Sequence, residues 1–142
     1  GIQEGGSIEI LNGDRVYIDR QTEISAVGGR VIIGGGTYFN RNVMLVSLCE
    51  IRIGIDVMIG PYTSIWDANH GSDPRLGSFR HQPYNLRKTE IHDNVWLGAH
   101  VVVTPGAIIE SDCIVAAGSV VTGILKSKAM YAGIPAKLKR AL

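Results

Sequence analysis

Aliphatic residues recur at intervals of six, without a slip, through the second half of the chain. They are Ile91, Leu97, Val103, Ile109, Val115 and Val121. A period of six is neither the 2 of an ordinary strand nor the 3.6 of a helix. A short repeat of fixed length is typical of a chain coiled into similar turns, each of which buries its apolar face on the next.

Two further features sharpen this pattern. The residue two positions before each aliphatic position is small or β-branched, namely Thr89, Val95, Val101, Ala107, Cys113 and Ser119. The same arrangement appears upstream at Ile53, Ile59 and Ile65. Together they predict an all-β fold, a parallel β-helix in which hexapeptide repeats form the sides of a prism.

The upstream repeat is broken at two places. Leu45 and Ile53 are eight residues apart instead of six, which predicts a two-residue bulge at a corner. Residues 66–88 lose the pattern and are rich in polar and turn-forming residues, with Pro74 and Pro83 among them. A loop of this length in a compact domain is usually functional. We therefore expect a protruding functional loop at this point of the coil.

Both ends of the chain depart from the period. Residues 1–32 are interrupted at Gly13-Asp14 and Gly28-Gly29, so we expect an irregular N-terminal coil that caps the end of the β-helix. The repeat ends before residues 123–142, which predicts a short C-terminal segment packed back on the coil. The whole chain of 142 residues is then one domain.

Composition and charge narrow the possible partners. The chain has 14 Lys and Arg against 13 Asp and Glu, a balance that suggests neither a nucleic-acid nor a membrane partner. Hydrophobic residues make up 45% but aromatic residues only 6%, so small and aliphatic side chains fill the predicted core. No apolar run reaches transmembrane length, and no secretory leader is visible. Cys49 and Cys113 lack a metal or redox spacing, and we expect a reducing, cytoplasmic location.

Four segments, taken in order, resemble the hexapeptide-repeat O-acetyltransferases. They are residues 93–98 (DNVWLG), 105–106 (PG), 116–122 (AAGSVVT) and 132–137 (AGIPAK). The resemblance covers roughly residues 33–140, and it is greatest to the maltose, galactoside and nodulation acetyltransferases and their relatives in surface-polysaccharide synthesis. It implies a left-handed coil, a homotrimer with active sites between subunits, and acetyl-CoA as co-substrate.

The resemblance places a catalytic histidine at the start of the loop, and the matching residue is His70. A hydroxyl group is a poor nucleophile at neutral pH, and imidazole has a suitable pKa for a general base. The resemblance implies direct transfer between bound substrates, without a covalent acyl-enzyme. Asp67, three residues earlier, is a candidate to orient the imidazole. The alternative is that His70 is a solvated loop residue.

The family also has an asparagine that binds the acceptor near its reacting hydroxyl. It maps onto Asn40, and Asn42 is the near alternative. Asparagine also tolerates left-handed backbone conformations, so either residue could instead serve only to form a corner.

Coenzyme contacts are implied at four further positions. Trp96 would lie beside the pantetheine arm, although it could also pack beneath the loop or in a subunit interface. Ala99 would offer a backbone N–H to the developing oxyanion, a contribution often worth about 3 kcal/mol. The small side chain of Ala117 would let the pantetheine lie flat, and Thr122 would contact it further along.

The C-terminal residues form a basic cluster without an acid. Its members are Lys126, Lys128, Lys137, Lys139 and Arg140. Coenzyme A carries a 3′-phosphate and a pyrophosphate, which cationic side chains bind well. With the family match, Lys137 and Arg140 are the favoured phosphate contacts, and a solvated tail is the alternative.

The remaining histidines do not suggest a metal site. His70, His81, His92 and His100 are separated by 11, 11 and 8 residues, without the tight pair that a solenoid zinc site would need. The expected function is transfer of an acetyl group from acetyl-CoA to a hydroxyl of a sugar or surface glycan. N-acetylation of an amino sugar and a non-catalytic scaffold role remain alternatives.

Overall fold

The computed structural model describes residues 4–11 and 15–142, and the part described is almost entirely β-structure. In chain order its strands are β1 (Ser7–Ile10), β2 (Tyr17–Ile18), β3 (Glu23–Ala26), β4 (Arg30–Ile33), β5 (Tyr38–Phe39), β6 (Met44–Ser47), β7 (Glu50–Ile53), β8 (Met58–Ile59), β9 (Ser64–Trp66), β10 (Ala68–His70), β11 (Tyr84–Leu86), β12 (Thr89–Ile91), β13 (Trp96–Leu97), β14 (Val102–Val103), β15 (Ile108–Ile109), β16 (Cys113–Val115), β17 (Val120–Val121), β18 (Ile124–Leu125), β19 (Ala129–Ala132) and β20 (Lys137–Ala141). Short 3₁₀ helices occupy Pro74–Leu76 and Phe79–His81.

Three sheets form the sides of a prism, and each turn of the chain contributes one strand to each side. Sheet 1 has the order β1-β4-β7-β12-β15-β18, sheet 2 the order β2-β5-β8-β13-β16-β19-β20, and sheet 3 the order β3-β6-β9-β14-β17. Strands of successive turns pair in parallel, whereas β20 runs antiparallel to β19. The predicted parallel β-helix is confirmed, with about six turns that are consistent with a left-handed coil.

The inward positions are those that the period of six predicts. All six aliphatic residues from Ile91 to Val121 are fully buried. Successive inward residues stack directly on the next turn, as Ile53, Ile91 and Ile109 do in sheet 1. Alternate side chains of a strand point to opposite faces, so the three-residue β12 sends two side chains inward and the two-residue β13 sends one. Burying each aliphatic side chain contributes about 1.5–3 kcal/mol.

Corners stack into columns that share a left-handed backbone. At the corner between sheets 2 and 3, positive φ angles occur at Gln21, Asn42, Tyr62, His100 and Gly118. At the corner between sheets 1 and 2 they occur at Gly36, Asp56, Asn94, Asp112 and Lys128. Glycine, Asn and Asp adopt this conformation at low cost, which explains four of the five members of the second column but only Asn42 and Gly118 in the first. Asn42 therefore has the corner role that was the alternative to acceptor binding.

The turns differ in length mainly at the corner between sheets 3 and 1. Ile33 pairs with Ile53, twenty residues later, whereas Ile91 pairs with Ile109, eighteen residues later. The additional residues lie between β6 and β7, at Leu48 and Cys49. This confirms the predicted bulge.

The first turn pairs with the second but is less regular than the later turns. Strand β1 pairs with β4 over four residues, and β3 pairs with β6 over four. Ile10 pairs with Ile33, 23 residues later, and Ile24 pairs with Leu45, 21 residues later, so this turn is longer than the one from Ile91 to Ile109. The end of the prism remains apolar, since Ile10 and Ile18 are half exposed. Gly28-Gly29 lies in the corner between β3 and β4, and Gly13-Asp14 lies outside the described residues.

The coil also extends further into the C-terminal segment than predicted. Strands β18 and β19 form a further turn, with Leu125, Ala129 and Tyr131 in the core. This turn is short, because Ile109 pairs with Leu125 only sixteen residues later. The period of six is therefore not visible in the sequence of this turn. After the cis Ile134–Pro135 bond, β20 folds back along β19, as expected for a packed-back segment.

We predict that Gly60→Ala destabilises the fold, because a Cβ on Gly60 would lie 2.5 Å from the carbonyl carbon of Gly98 on the next turn. Overpacking of this kind costs about 1–3 kcal/mol. Gly123→Ala is the matched control, since a Cβ there meets no atom within 4 Å. Denaturant unfolding of both variants would measure the difference, and equal stabilities would contradict the close approach.

Candidate functional site

The loop predicted at 66–88 is an ordered insertion that leaves the coil after β9. Trp66 belongs to β9, so the insertion begins at Asp67. Strands β10 and β11 form an antiparallel ribbon in which His70 pairs with Tyr84. Their rings lie 4.5 Å apart at an angle of 41°, and His70 is exposed. The predicted base is therefore held on a paired strand beside an aromatic ring.

The outer part of the insertion is organised around one buried amide side chain. Gln82 Nε2 donates to the carbonyl oxygens of Asp73 and Gly77 at 2.8 and 3.0 Å. Gln82 Oε1 accepts from the Asp73 amide at 3.2 Å. A Cβ on Gly71 would lie 2.7 Å from that of Gln82, so glycine next to His70 allows the two sides of the loop to approach closely.

Asp67 does not orient the imidazole of His70, and this expectation was wrong. Its buried carboxylate accepts hydrogen bonds from the Ser47 hydroxyl at 2.7 Å and from the amides of Leu48 and Cys49 at 2.8 and 2.9 Å. Those residues form the long corner between β6 and β7. The carboxylate thus satisfies amide groups that the extra residues would leave without a partner.

His70 lies between two cavities on either side of the ribbon. One is an open groove of about 780 Å³, whose polar lining includes Asn69, Ser72, Asn85 and Arg87. The other, of about 310 Å³, is mostly apolar and includes Trp66 among its lining residues. Asn69, His70 and Tyr84 line both cavities. A substrate in the polar groove would therefore have access to the histidine.

Asn40 lies away from this loop, at the corner between sheets 2 and 3. Its Oδ1 accepts from the Arg41 amide at 2.8 Å, and its carbonyl oxygen accepts from the Thr22 hydroxyl at 2.6 Å. Asn42 follows in the same corner. Sheet 3 separates this corner from the point where the His70 loop leaves the coil.

Trp96 projects outward from sheet 2 and is 49% exposed. It lies between Met58 and Ile114 on the neighbouring strands. A cavity of about 440 Å³ beside it is also lined by Lys128 and Leu142. No residue of the chain's own loop lines that cavity.

A bulge in β20 brings two basic residues to the face that carries Trp96. Lys137 pairs with Ala132 and Arg140 pairs with Met130, with a shift of register between these positions. Without the shift, residues three apart in a strand would point to opposite faces. Trp96, Ile114, Met130 and Arg140 then form one outward row across four strands, about 14 Å long at the usual strand spacing.

The residues of the basic cluster differ in whether they already pair with an acidic side chain. Lys126 donates to Glu110 at 2.7 Å, and this hydrogen bond raises the pKa of Lys126 and lowers the pKa of Glu110. Within the described chain, the side chain of Lys137 has no hydrogen bond or ion pair. Lys137 is therefore better placed than Lys126 to receive an anion.

Ala99 and Ala117 stack at the corner between sheets 2 and 3. The hydrogen bonding of their backbone amides differs from that of the equivalent residues in the preceding turns. The Arg41 amide is capped by Asn40, and Pro61 has no N–H. In the described part of the chain, the amides of Ala99 and Ala117 have no hydrogen-bond acceptor. This corner therefore presents two unused donors, one of them at the predicted oxyanion position.

The predicted site residues fall into two groups on opposite sides of sheet 3. His70 and Thr122 follow strands β9 and β17, at the corner between sheets 3 and 1. Asn40, Asn42, Ala99 and Ala117 precede strands of sheet 3. Trp96, Lys137 and Arg140 lie on sheet 2. One chain therefore does not bring all of these residues together.

The structure adds Tyr84 and Arg87 to the residues around His70. Sequence analysis missed them because the loop has no repeat from which to predict which residues pair. The one available signal was the regular resumption of the repeat at Thr89, which fixes where the returning strand must end.

Two of the other histidines have local side-chain partners. His100 stacks on Tyr62, with ring centroids 4.9 Å apart, and His92 lies 3.4 Å from Glu90. Across residues 4–11 and 15–142 there is no group of three or more His, Cys, Asp or Glu side chains that could hold a metal ion. The same residues contain no helix long and apolar enough to cross a membrane.

Comparison with known proteins identifies the family. Residues 88–123 match the bacterial transferase hexapeptide (six repeats) model. A galactoside O-acetyltransferase of Lactococcus lactis subsp. lactis (strain IL1403) is 36% identical over 130 residues, covering 92% of this chain and 62% of that protein. The putative lipopolysaccharide biosynthesis O-acetyl transferase WbbJ of Escherichia coli (strain K12) is 35% identical over 147 residues, covering 96% of this chain and 73% of that protein.

A solved structure agrees with these relatives. A hexapeptide-repeat-containing acetyltransferase of Vibrio cholerae O1 biovar eltor, complexed with acetyl coenzyme A, is 31% identical with a TM-score of 0.71. The match covers 89% of this chain and 64% of that chain. The protein belongs to the hexapeptide-repeat acetyltransferase family. It spans less than two thirds of the length of the Lactococcus relative.

We predict that Asp67→Ala destabilises the corner at Leu48 and Cys49, because it removes the acceptor of both amides. Loss of hydrogen bonds to a charged group lowers the free energy of unfolding by about 1.5–3 kcal/mol. Hydrogen exchange should show faster exchange at these two amides. Asp73→Ala, in the outer part of the loop, is the control, and equal protection in the two variants would refute this role.

Proposed function

We propose that this protein transfers an acetyl group from acetyl-CoA to a hydroxyl of a sugar or surface glycan. The observation that carries the proposal is the placement of His70, exposed on an ordered ribbon and lining a polar groove. Relatives named for galactoside and lipopolysaccharide O-acetylation support a carbohydrate acceptor. The two free cysteines favour a reducing location, and we place the activity in the cytoplasm.

The chemistry requires one proton acceptor and one oxyanion donor. His70 takes the proton from the acceptor hydroxyl as the oxygen attacks the thioester carbonyl. The Ala99 amide, which has no acceptor in the described chain, donates to the oxyanion of the tetrahedral intermediate. Collapse of the intermediate expels the coenzyme thiolate, which receives the proton from the imidazolium. The products are the acetyl ester and coenzyme A.

The coenzyme would bind along the corner that carries Ala99 and Ala117 and across the outward face of sheet 2. Trp96 offers an exposed aromatic surface for the pantetheine arm. Lys137 and Arg140, on the same face, offer cations for the phosphates. Thr122 lies across sheet 3 from Ala117, so it would contact the coenzyme only from a different chain.

We propose a homotrimer whose active sites each use two subunits. The support is the separation of the site residues into two groups on opposite sides of sheet 3. His70 from one subunit would face the Ala99 corner of its neighbour, where Asn40 could contact the acceptor. The outward row of apolar side chains through Met58, Trp96 and Ile114, in which Met58 and Trp96 are exposed, is suited to an interface of this kind.

The first test is isothermal titration of the purified protein with acetyl-CoA, together with measurement of its native mass. The proposal expects saturable binding near one site per subunit on a trimer. Trp96→Ala should weaken this binding, whereas Tyr17→Ala, an exposed aromatic of the same sheet in the first turn, should not. A folded protein that binds no coenzyme would instead favour the scaffold alternative.

The second test addresses the base. His70→Ala should lower turnover by about 10²–10⁴, while acetyl-CoA binding and the fold remain. His81→Ala is the matched control, since His81 lies in the same loop but does not line the groove. The turnover of both variants would be measured with matched acceptors that carry either a hydroxyl or an amine. Unchanged turnover in His70→Ala would reject the mechanism, and a strict preference for amines would favour N-acetylation.

A further inference from the structure

The groove beside His70 is lined by one permanently charged cationic side chain. Arg87 lines this groove, together with the neutral polar residues Asn69, Ser72 and Asn85. No Asp or Glu is among the lining residues that the structure describes. Arg87 thus supplies the one permanent formal charge among them. A ligand that fills the groove would meet a positive charge with no carboxylate beside it.

The backbone of Arg87 is held at the base of the loop. Its amide donates to the Asp67 carbonyl at 2.8 Å, and its carbonyl accepts from the Gly106 amide at 3.2 Å. Its side chain lies along Gly106, where an added Cβ would be 3.2 Å from Arg87 Nε. The corner glycine therefore leaves room for the arginine side chain, and the arginine is packed on one side.

The Arg87 guanidinium has no hydrogen bond or ion pair in the described chain. Its neighbour Lys88 is different, since it contacts Glu50 at 2.9 Å and Glu90 at 3.3 Å. The hydrogen bond to Glu50 raises the pKa of Lys88. Glu50 and Glu90 thus pair with Lys88, whereas the donors of Arg87 remain available to a ligand.

We propose that Arg87 selects an anionic acceptor, a sugar that carries a carboxylate or a phosphate. A guanidinium binds either anion through two parallel hydrogen bonds. The neutral side chains of Asn69, Ser72 and Asn85 would bind hydroxyl groups of the same sugar. Arg87 would then be a specificity-determining residue that holds the acceptor with a hydroxyl near His70. This inference rests on the acetyl transfer proposed above.

The test compares three sugars with the same ring: galactose, galacturonate and galactose 1-phosphate. The two anionic probes differ at C6 and C1, so at least one of them keeps whichever hydroxyl receives the acetyl group. Coenzyme A release would give kcat/KM for the intact protein at low salt. We expect at least one anionic sugar to be used about tenfold better than galactose, the usual worth of a charge-assisted hydrogen bond.

Arg87→Gln should abolish this preference and lower kcat/KM for the favoured anion about tenfold. Arg80→Gln removes the same charge from the same loop outside the groove, and it should keep the preference. Arg87→Lys should recover it in part, since it restores the charge without the paired geometry. Turnover compares the two anions only if both probes keep the reacting hydroxyl, so the binding measurement below is used to distinguish carboxylate from phosphate.

A binding measurement separates failure of this inference from failure of the proposed function. The same sugars are titrated into the protein without acetyl-CoA, with Arg87→Gln alongside. Tighter binding of an anionic sugar that is lost in Arg87→Gln supports the inference even if no sugar is acetylated. Equal binding of the three sugars, or an anion preference that survives Arg87→Gln, overturns it even if galactose is acetylated.

Discussion

The structure depends on stacking each turn of the chain directly on the next. Inward side chains lie above their equivalents, so Ile53, Ile91 and Ile109 form a continuous column. At some corners the backbones approach so closely that Gly60 and Gly98 admit no Cβ. The apolar column drives the coil together, and the close corners fix its register. Because the coil is uniform, any functional feature must be added to a corner or to an outer face.

The site residues follow this division. Outward positions on sheet 2 do not contribute to the core, which leaves Trp96 exposed beside Ile114 and available for a ligand or a partner subunit. Corner positions keep amides that the parallel ladders do not use, as at Ala99 and Ala117. The histidine is carried by the insertion, where an antiparallel ribbon gives it a partner that the coil could not provide.

Much of the fold could be predicted from the sequence because the period of six maps directly onto inward positions. The prediction failed where a turn changed length, as at the short turn ending at Leu125. Inward residues are no longer spaced in multiples of six there. It also failed for Asp67, because its partners Leu48 and Cys49 are distant in sequence and His70 is near. The bulge in β20 that aligns Arg140 with Lys137 left no signal in composition or spacing.

The bond between the Asp67 carbonyl and the Arg87 amide closes the neck of the insertion, and the Asp67 carboxylate fastens that neck to the preceding turn. Thr89 then resumes the coil in register with Ile51 as though no insertion intervened. The stacking of the turns on either side is thus set by strand pairs outside the residues between Asp67 and Arg87. A change in the length or sequence of that segment would leave these strand pairs in register. The fold of the coil and the chemistry of the loop can therefore be altered separately.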